Sequence, residues 1–160
     1  MRIAKAERPV KGNDAWTYSF DNFDRVFNMP VVEKVELVEH GVKASDFKKL
    51  VEDMGLAQED LSKALRISIS TINRKAKRDE ILSIDEGERV VNMASLIGQV
   101  GVMTEAADDA GFNAAQWVAN WIEQPLPALG GRRPVEFLGT ASGFQLVSGV
   151  LRTMESGAYL

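Results

Sequence analysis

The sequence predicts an all-α fold. Three observations carry this: apolar side chains recur at three- and four-residue spacing in successive stretches, capping residues and glycines bracket those stretches, and large side chains alternate in a strand-like way only at Trp16, Tyr18 and Phe20. In chain order, residues 1–30 read as a partly ordered N-terminal arm. Arg2, Lys5, Arg8 and Lys11 sit among few core-forming residues, and Pro9 and Gly12 interrupt any helix. Phe20, Phe23 and Phe27 are spaced for a helix, so the arm's aromatics are expected to pack on the body or on a second subunit.

Val31, Val35 and Val38 give a first helix with Gly41 as its C-cap. Ser45 is then expected to cap a helix whose Phe47, Leu50, Val51 and Met54 form one stripe, ended by Gly55. Ser83 with Glu86 three residues on has the form of a capping box, and Val90, Met93, Ala94, Ile97 and Val100 carry that helix to about Met103. Asn113 with Gln116 opens another, with Trp117 and Trp121 on its face, and Pro125 and Pro127 stop it. Leu126, Leu129, Gly130 and Gly131 form a loop, and Pro134 begins a short helix through Leu138. Thr140 or Ser142 starts the last helix, lined by Phe144, Val147, Val150, Leu151 and Met154 and closed by Gly157.

Between these lies the stretch Gln58 to Arg78. Leu61 and Leu65 share a face, Arg66-Ile67-Ser68 breaks the period, and Ser68 or Ser70 can cap a second helix buried through Ile69, Ile72 and Ala76. Two short helices, a tight turn and a polar, cationic outer face describe a helix-turn-helix able to enter a major groove. An ordinary helical hairpin with a solvated basic face is the alternative. Net charge is −4, but residues 66–78 hold five cations and no acid, which leaves −9 for everything else. Phosphate binding responds to the local patch, since potentials are screened over about 8 Å in physiological salt.

The base contact falls to Arg74, whose guanidinium can bond guanine O6 and N7 together. Asn73 suits adenine or a phosphate, Gln58, Ser70 and Thr71 suit phosphates that set register, and Lys77 and Arg78 add backbone attraction. So small a unit makes few contacts, so a dimer on a two-fold operator is expected. With no cysteine and a single histidine, His40, thiolate and His-rich metal sites fall away. No nucleophile elbow, phosphate loop or paired acid-base motif appears, and Asp108-Asp109 reads as a solvated helix start. Catalytic residues, metal ligands and cofactors are therefore not expected. No apolar run approaches about 18 residues and no signal-peptide core is present, which predicts a cytoplasmic protein without a membrane partner.

The order Trp117, Trp121, Leu129-Gly130-Gly131, Pro134, Phe137-Leu138, Thr140 before Gly143, and Glu155-Ser156-Gly157-Ala158-Tyr159 resembles the toxin-binding domain of Xre/ParS/MbcA-type antitoxins. Ser70-Thr71, the basic cluster from Arg74 and Glu88-Arg89 are similar to the Xre-like domain that precedes it. The resemblance implies three parts: the arm at 1–30, an Xre-like helix-turn-helix domain at 31–104, and a toxin-binding domain at 105–160. It implies a non-enzymatic antitoxin of a type II pair that neutralises a RES-domain, NAD-depleting toxin and represses its own operon. The C-terminal module would occlude the toxin's active site, with Gly157, Ala158, Tyr159 and Leu160 as the plug and Arg132 and Arg133 pairing with toxin acids. A homodimer, or a higher assembly with toxin, would be the working form. A stand-alone dimeric helix-turn-helix regulator without a toxin is the competing reading. Two positions depart from the usual pattern. Arg66 stands where glycine usually occupies the turn, at about 1 kcal/mol if the residue is left-handed. Lys75 fills an often apolar position.

Overall fold

The computed structural model describes residues 22–105, 107 and 111–158. These form eight α-helices: α1 Phe23–Asn28, α2 Val31–His40, α3 Ala44–Met54, α4 Gln58–Leu65, α5 Ile69–Lys77, α6 Ile84–Glu105, α7 Ala114–Trp121 and α8 Ala141–Glu155. Short 3-10 helices occupy Pro127–Leu129 and Pro134–Phe137. Among the described residues the only extended pairing is two isolated bridges, Lys43 with Ile81 and Leu126 with Arg132. The fold is all-α, as the periodicity predicts.

Helix α6 is the centre. From Val90 to Val100 it buries Val90, Val91, Met93, Ala94, Leu96, Ile97 and Val100. A helix apolar around most of its circumference needs neighbours on every side, and α1, α2, α3, α4, α7 and α8 all touch it. Its start is the predicted capping box: the Ser83 N–H donates to Glu86 Oε2 at 3.1 Å and the Glu86 N–H to Ser83 Oγ at 3.2 Å.

α1 lies directly on the α6 backbone. A Cβ at Gly98 would collide with the Phe23 carbonyl, and one at Gly101 with the Asp24 carboxylate. Glycine at both places lets the two backbones approach. Val26 and Met29 are buried, Phe23 packs half-buried against the core, and Phe27 is half-buried beside Gly98. The last part of the segment read as an arm is thus core, and for Phe23 and Phe27 the helical spacing prevails. Trp16, Tyr18 and Phe20 lie outside the described residues, as do Asp108 and Asp109.

Two expectations need correction. α2 ends at Gly41 as expected, but of its Val31, Val35 and Val38 stripe only Val38 packs on the core: Leu37 is buried, while Val31 is 76% and Val35 49% exposed. Lys34 fixes this rotation, because its ammonium donates to the Phe27 carbonyl at 3.2 Å and to Ser95 Oγ on α6 at 3.3 Å. Burial pushes its pKa down. Likewise α3 begins at Ala44 with Lys43 as N-cap, not at a Ser45 cap. The Ala44 N–H donates to the Glu80 carbonyl at 3.1 Å and the Leu82 N–H to the Val42 carbonyl at 2.7 Å, so the segment after α5 pins the chain earlier. Asp46 takes the capping role by accepting from the Lys43 N–H at 3.0 Å. Gly55 ends α3 at φ 65°, as expected.

At the C-terminal end, Asn113 Oδ1 accepts from the Gln116 N–H at 3.0 Å to start α7, and Thr140 Oγ1 accepts from the Gly143 N–H at 3.1 Å to start α8. The Trp117 and Trp121 rings stack at 5.7 Å. Inside the core, the Gln99 Nε2–H donates to the Ser148 carbonyl at 3.0 Å, and the Ser148 hydroxyl donates to Gln99 Oε1 at 2.8 Å. This pair joins α6 to α8. One buried apolar cluster runs from Val26 to Leu151, so α1 and α8 share a core.

Candidate functional site

The pair α4 and α5 is built on buried Leu61, Leu65, Ile67 and Ile72. The intervening turn is held by polar contacts from outside the pair. Arg66 takes the left-handed conformation at φ 52° and ψ 46°. The Arg89 side chain on α6 donates from Nε to the Leu65 carbonyl at 2.7 Å and from Nη2 to the Arg66 carbonyl at 3.5 Å, capping the end of α4. The Ser62 hydroxyl donates to the Ile67 carbonyl. Ser68 stands at the N-cap of α5, but its hydroxyl pairs with that of Ser70 at 2.8 Å rather than with the helix.

On the outer face, the Gln58 amide donates to Asn73 Oδ1 at 2.9 Å. This bond joins the start of α4 to the middle of α5 and leaves the Asn73 amide N–H groups free to donate outward. Ser70, Arg74, Lys77 and Arg78 are exposed, and Thr71 is half-buried beside them. The five cations of this stretch are not equivalent. Lys75 is 3.7 Å from Glu86, each side chain only 20% exposed, and Arg78 is 3.8 Å from Glu80. Arg66 lies along Gly139, where a Cβ would come within 2.6 Å of its Nε. Arg66, Arg74 and Lys77 remain exposed, and no acid among the described residues pairs with them.

In the C-terminal part, Arg133 Nη1 bonds Glu123 Oε2 at 2.7 Å and the Arg133 N–H donates to Glu136 Oε2 at 2.7 Å. Arg132 lies 3.7 Å from Glu136 through Nε, with its guanidinium 4.4 Å above the Phe137 ring. Both arginines therefore shape the loop that carries them while staying half-exposed. Gly157 leaves α8 at φ 69°, with Ala158 exposed beyond it. Tyr159 and Leu160 lie outside the described residues. On α8, Leu146 and Met154 are exposed apolar side chains. Arg89, Gly139 and the charge-neutralising role of Glu86 carry no local signal, because each acts on a residue distant in the chain.

Among the described residues no three acids or histidines are grouped as a metal would require, and no helix is long and apolar enough to cross a membrane. The comparisons with known proteins agree with this layout. The family model for the antitoxin Xre-like helix-turn-helix domain matches residues 33–95. That for the antitoxin Xre/MbcA/ParS C-terminal toxin-binding domain matches residues 109–157. The Prs ADP-ribosylating antitoxin of Sphingobium sp. (strain YBL2) is 35% identical over 138 residues, covering 86% of this chain and 87% of its own length. The stand-alone regulator gives way to the toxin-binding match. The chain belongs to the Xre/MbcA/ParS antitoxins: it is a non-enzymatic antitoxin of a toxin–antitoxin system, with a helix-turn-helix domain followed by a toxin-binding domain.

Proposed function

We propose that the antitoxin neutralises a RES-domain toxin that consumes NAD by laying its C-terminal module over the toxin's active site, and that it represses its own operon in the cytoplasm. The observation that carries the first half is the matched toxin-binding region, in which α8 keeps Leu146 and Met154 exposed and is followed by left-handed Gly157. Ala158, Tyr159 and Leu160 then form the plug, which brings an aromatic ring to a pocket made for a dinucleotide. The relative's name joins an antitoxin to ADP-ribosylation. Transfer of ADP-ribose draws on NAD, which accords with an NAD-consuming toxin here.

The division of labour follows the chain, with 31–104 reading DNA and 105–160 binding toxin. Arg74 reads a base, Asn73 is oriented by Gln58, and Ser70, Thr71, Lys77 and Arg78 meet phosphates. A homodimer supplies two such faces to a two-fold operator. The deciding experiment is a growth assay with the toxin gene of the same operon. Full-length antitoxin is expected to protect, whereas a form lacking residues 158–160 should stay folded, bind operator and protect poorly. Full protection by that truncated form would sink the plug.

A further inference from the structure

We propose that the outer face of α2, where Val31, Val32 and Val35 adjoin Glu36 and Glu39, is the docking surface for the chain's own N-terminal segment, residues 1–21. The aromatic residues of that segment cover the valines, and its cations meet the glutamates.

The first observation is that the face is apolar and held outward. A helix packed on a core ordinarily turns its apolar stripe inward and its charges to solvent. On α2, Val31, Val32 and Val35 are 76%, 69% and 49% exposed, while Leu37 is buried. The Lys34 ammonium, held by the Phe27 carbonyl and Ser95 Oγ, keeps α2 from rolling to bury them. At helical spacing the three valines share one arc with Glu36 and Glu39, both exposed. A contiguous apolar patch rimmed by charge marks an interaction site.

The second observation is charge, which selects the occupant. Residues 1–12 carry Arg2, Lys5, Arg8 and Lys11 against Glu7 alone, and Trp16, Tyr18 and Phe20 follow. The segment and the face thus each hold an apolar block beside a charged block, and the charges are of opposite sign. A second copy of α2 does not complement the first, because Glu36 and Glu39 would oppose their counterparts. Three valines also fall well short of the about 800 Å² per partner that a stable dimer buries. A tethered segment needs fewer contacts, since a short linker supplies an effective concentration of about millimolar.

The third is reach. The segment joins the described chain at Asn22, the N-cap of α1. α1 has six residues, and Met29 and Pro30 alone separate it from α2. Helix rise and chain length therefore put Asn22 within about 20 Å of Val31. Stretched out, the six residues from Trp16 to Asp21 would span about 20 Å. The segment can meet its own α2 without lifting α1 from α6, where Gly98 and Gly101 seat it.

The test uses the full chain. It contains no cysteine, so Asn13→Cys gives a single attachment point for a nitroxide, read as paramagnetic broadening of amide signals. The α2 amides from Val32 to Glu39 are expected to broaden, and those of α5 are not. Val32→Glu places a charge on the face at an exposed site. Lys5→Glu combined with Arg8→Glu reverses the segment's charge and leaves every helix unaltered. In both variants the α2 broadening should be lost, and in the native chain added salt should weaken it. Should Val32→Glu fail to fold in a thermal scan, the charge-reversed segment decides. Broadening of α2 that persists in either folded variant reflects tethering alone and overturns the proposal, as does a native α2 that is not broadened. A mixture of isotope-labelled chain without nitroxide and unlabelled chain with it reads contact between copies. Broadening of α2 in that mixture assigns the face to another copy's segment and likewise overturns the proposal; its absence there, with broadening in the singly labelled chain, supports it.

Discussion

Arg74→Ala separates base reading from charge attraction. Arg74 is exposed and pairs with no acid among the described residues, so its removal should leave folding stability within about 0.5 kcal/mol of native. A bidentate contact to a base is worth about 1–3 kcal/mol of discrimination, or roughly 5- to 160-fold between operator and a scrambled duplex. The salt dependence supplies the second half of the test. Lys75 is held by Glu86 and Arg78 lies 3.8 Å from Glu80, which leaves three or four of the five cations for phosphates. The slope of log affinity on log salt should then be about −2.7 to −3.6 per protomer, whereas five engaged cations would give about −4.5. Competition anisotropy with both duplexes across a salt series measures discrimination and slope together. If Arg74→Ala weakens both duplexes equally and flattens the slope by about 0.9, the residue holds a phosphate and the base assignment is refuted.

Gly98→Ala should cost about 1–3 kcal/mol in urea unfolding, because the new methyl meets the Phe23 carbonyl. The amides of α1 should lose hydrogen-exchange protection first, and native-like protection there would show that α1 does not lie on α6. Ser148→Ala should cost about 1–3 kcal/mol by leaving buried Gln99 Oε1 without its donor; a loss below about 0.5 kcal/mol would mean the pair adds nothing. Asp46 supplies a pH prediction. Burial pushes its carboxyl up to about 6 from 3.8, the Lys43 N–H and ammonium oppose that rise, and the Asp79 charge adds to it. The native state thus holds this proton more tightly than the unfolded chain, and stability should rise as pH falls from about 6 towards 3.8. In denaturation series at several pH values, Asp46→Asn should lack that increment. Parallel curves for the two proteins would contradict it.

Local features were readable from the chain alone. The Ser83–Glu86 box, the Asn113 and Thr140 caps and the glycine at the end of α3 formed where they were read, because each needs only residues within one turn of helix. The helix-turn-helix pair was legible for the same reason, and so was the left-handed demand on Arg66. Tertiary structure decided the rest. Which side of α2 is buried depended on Lys34 reaching Ser95 on a distant helix, and the start of α3 on a bridge from Ile81. Spacing counted five cations on the reading stretch, but it gave no sign that Glu86 would hold Lys75 or that Arg66 would settle on a glycine more than seventy residues away. Helical periodicity fixes which residues share a face. It carries no information about what that face meets, and in this protein that meeting decides which cations of the α4–α5 pair keep an acid beside them.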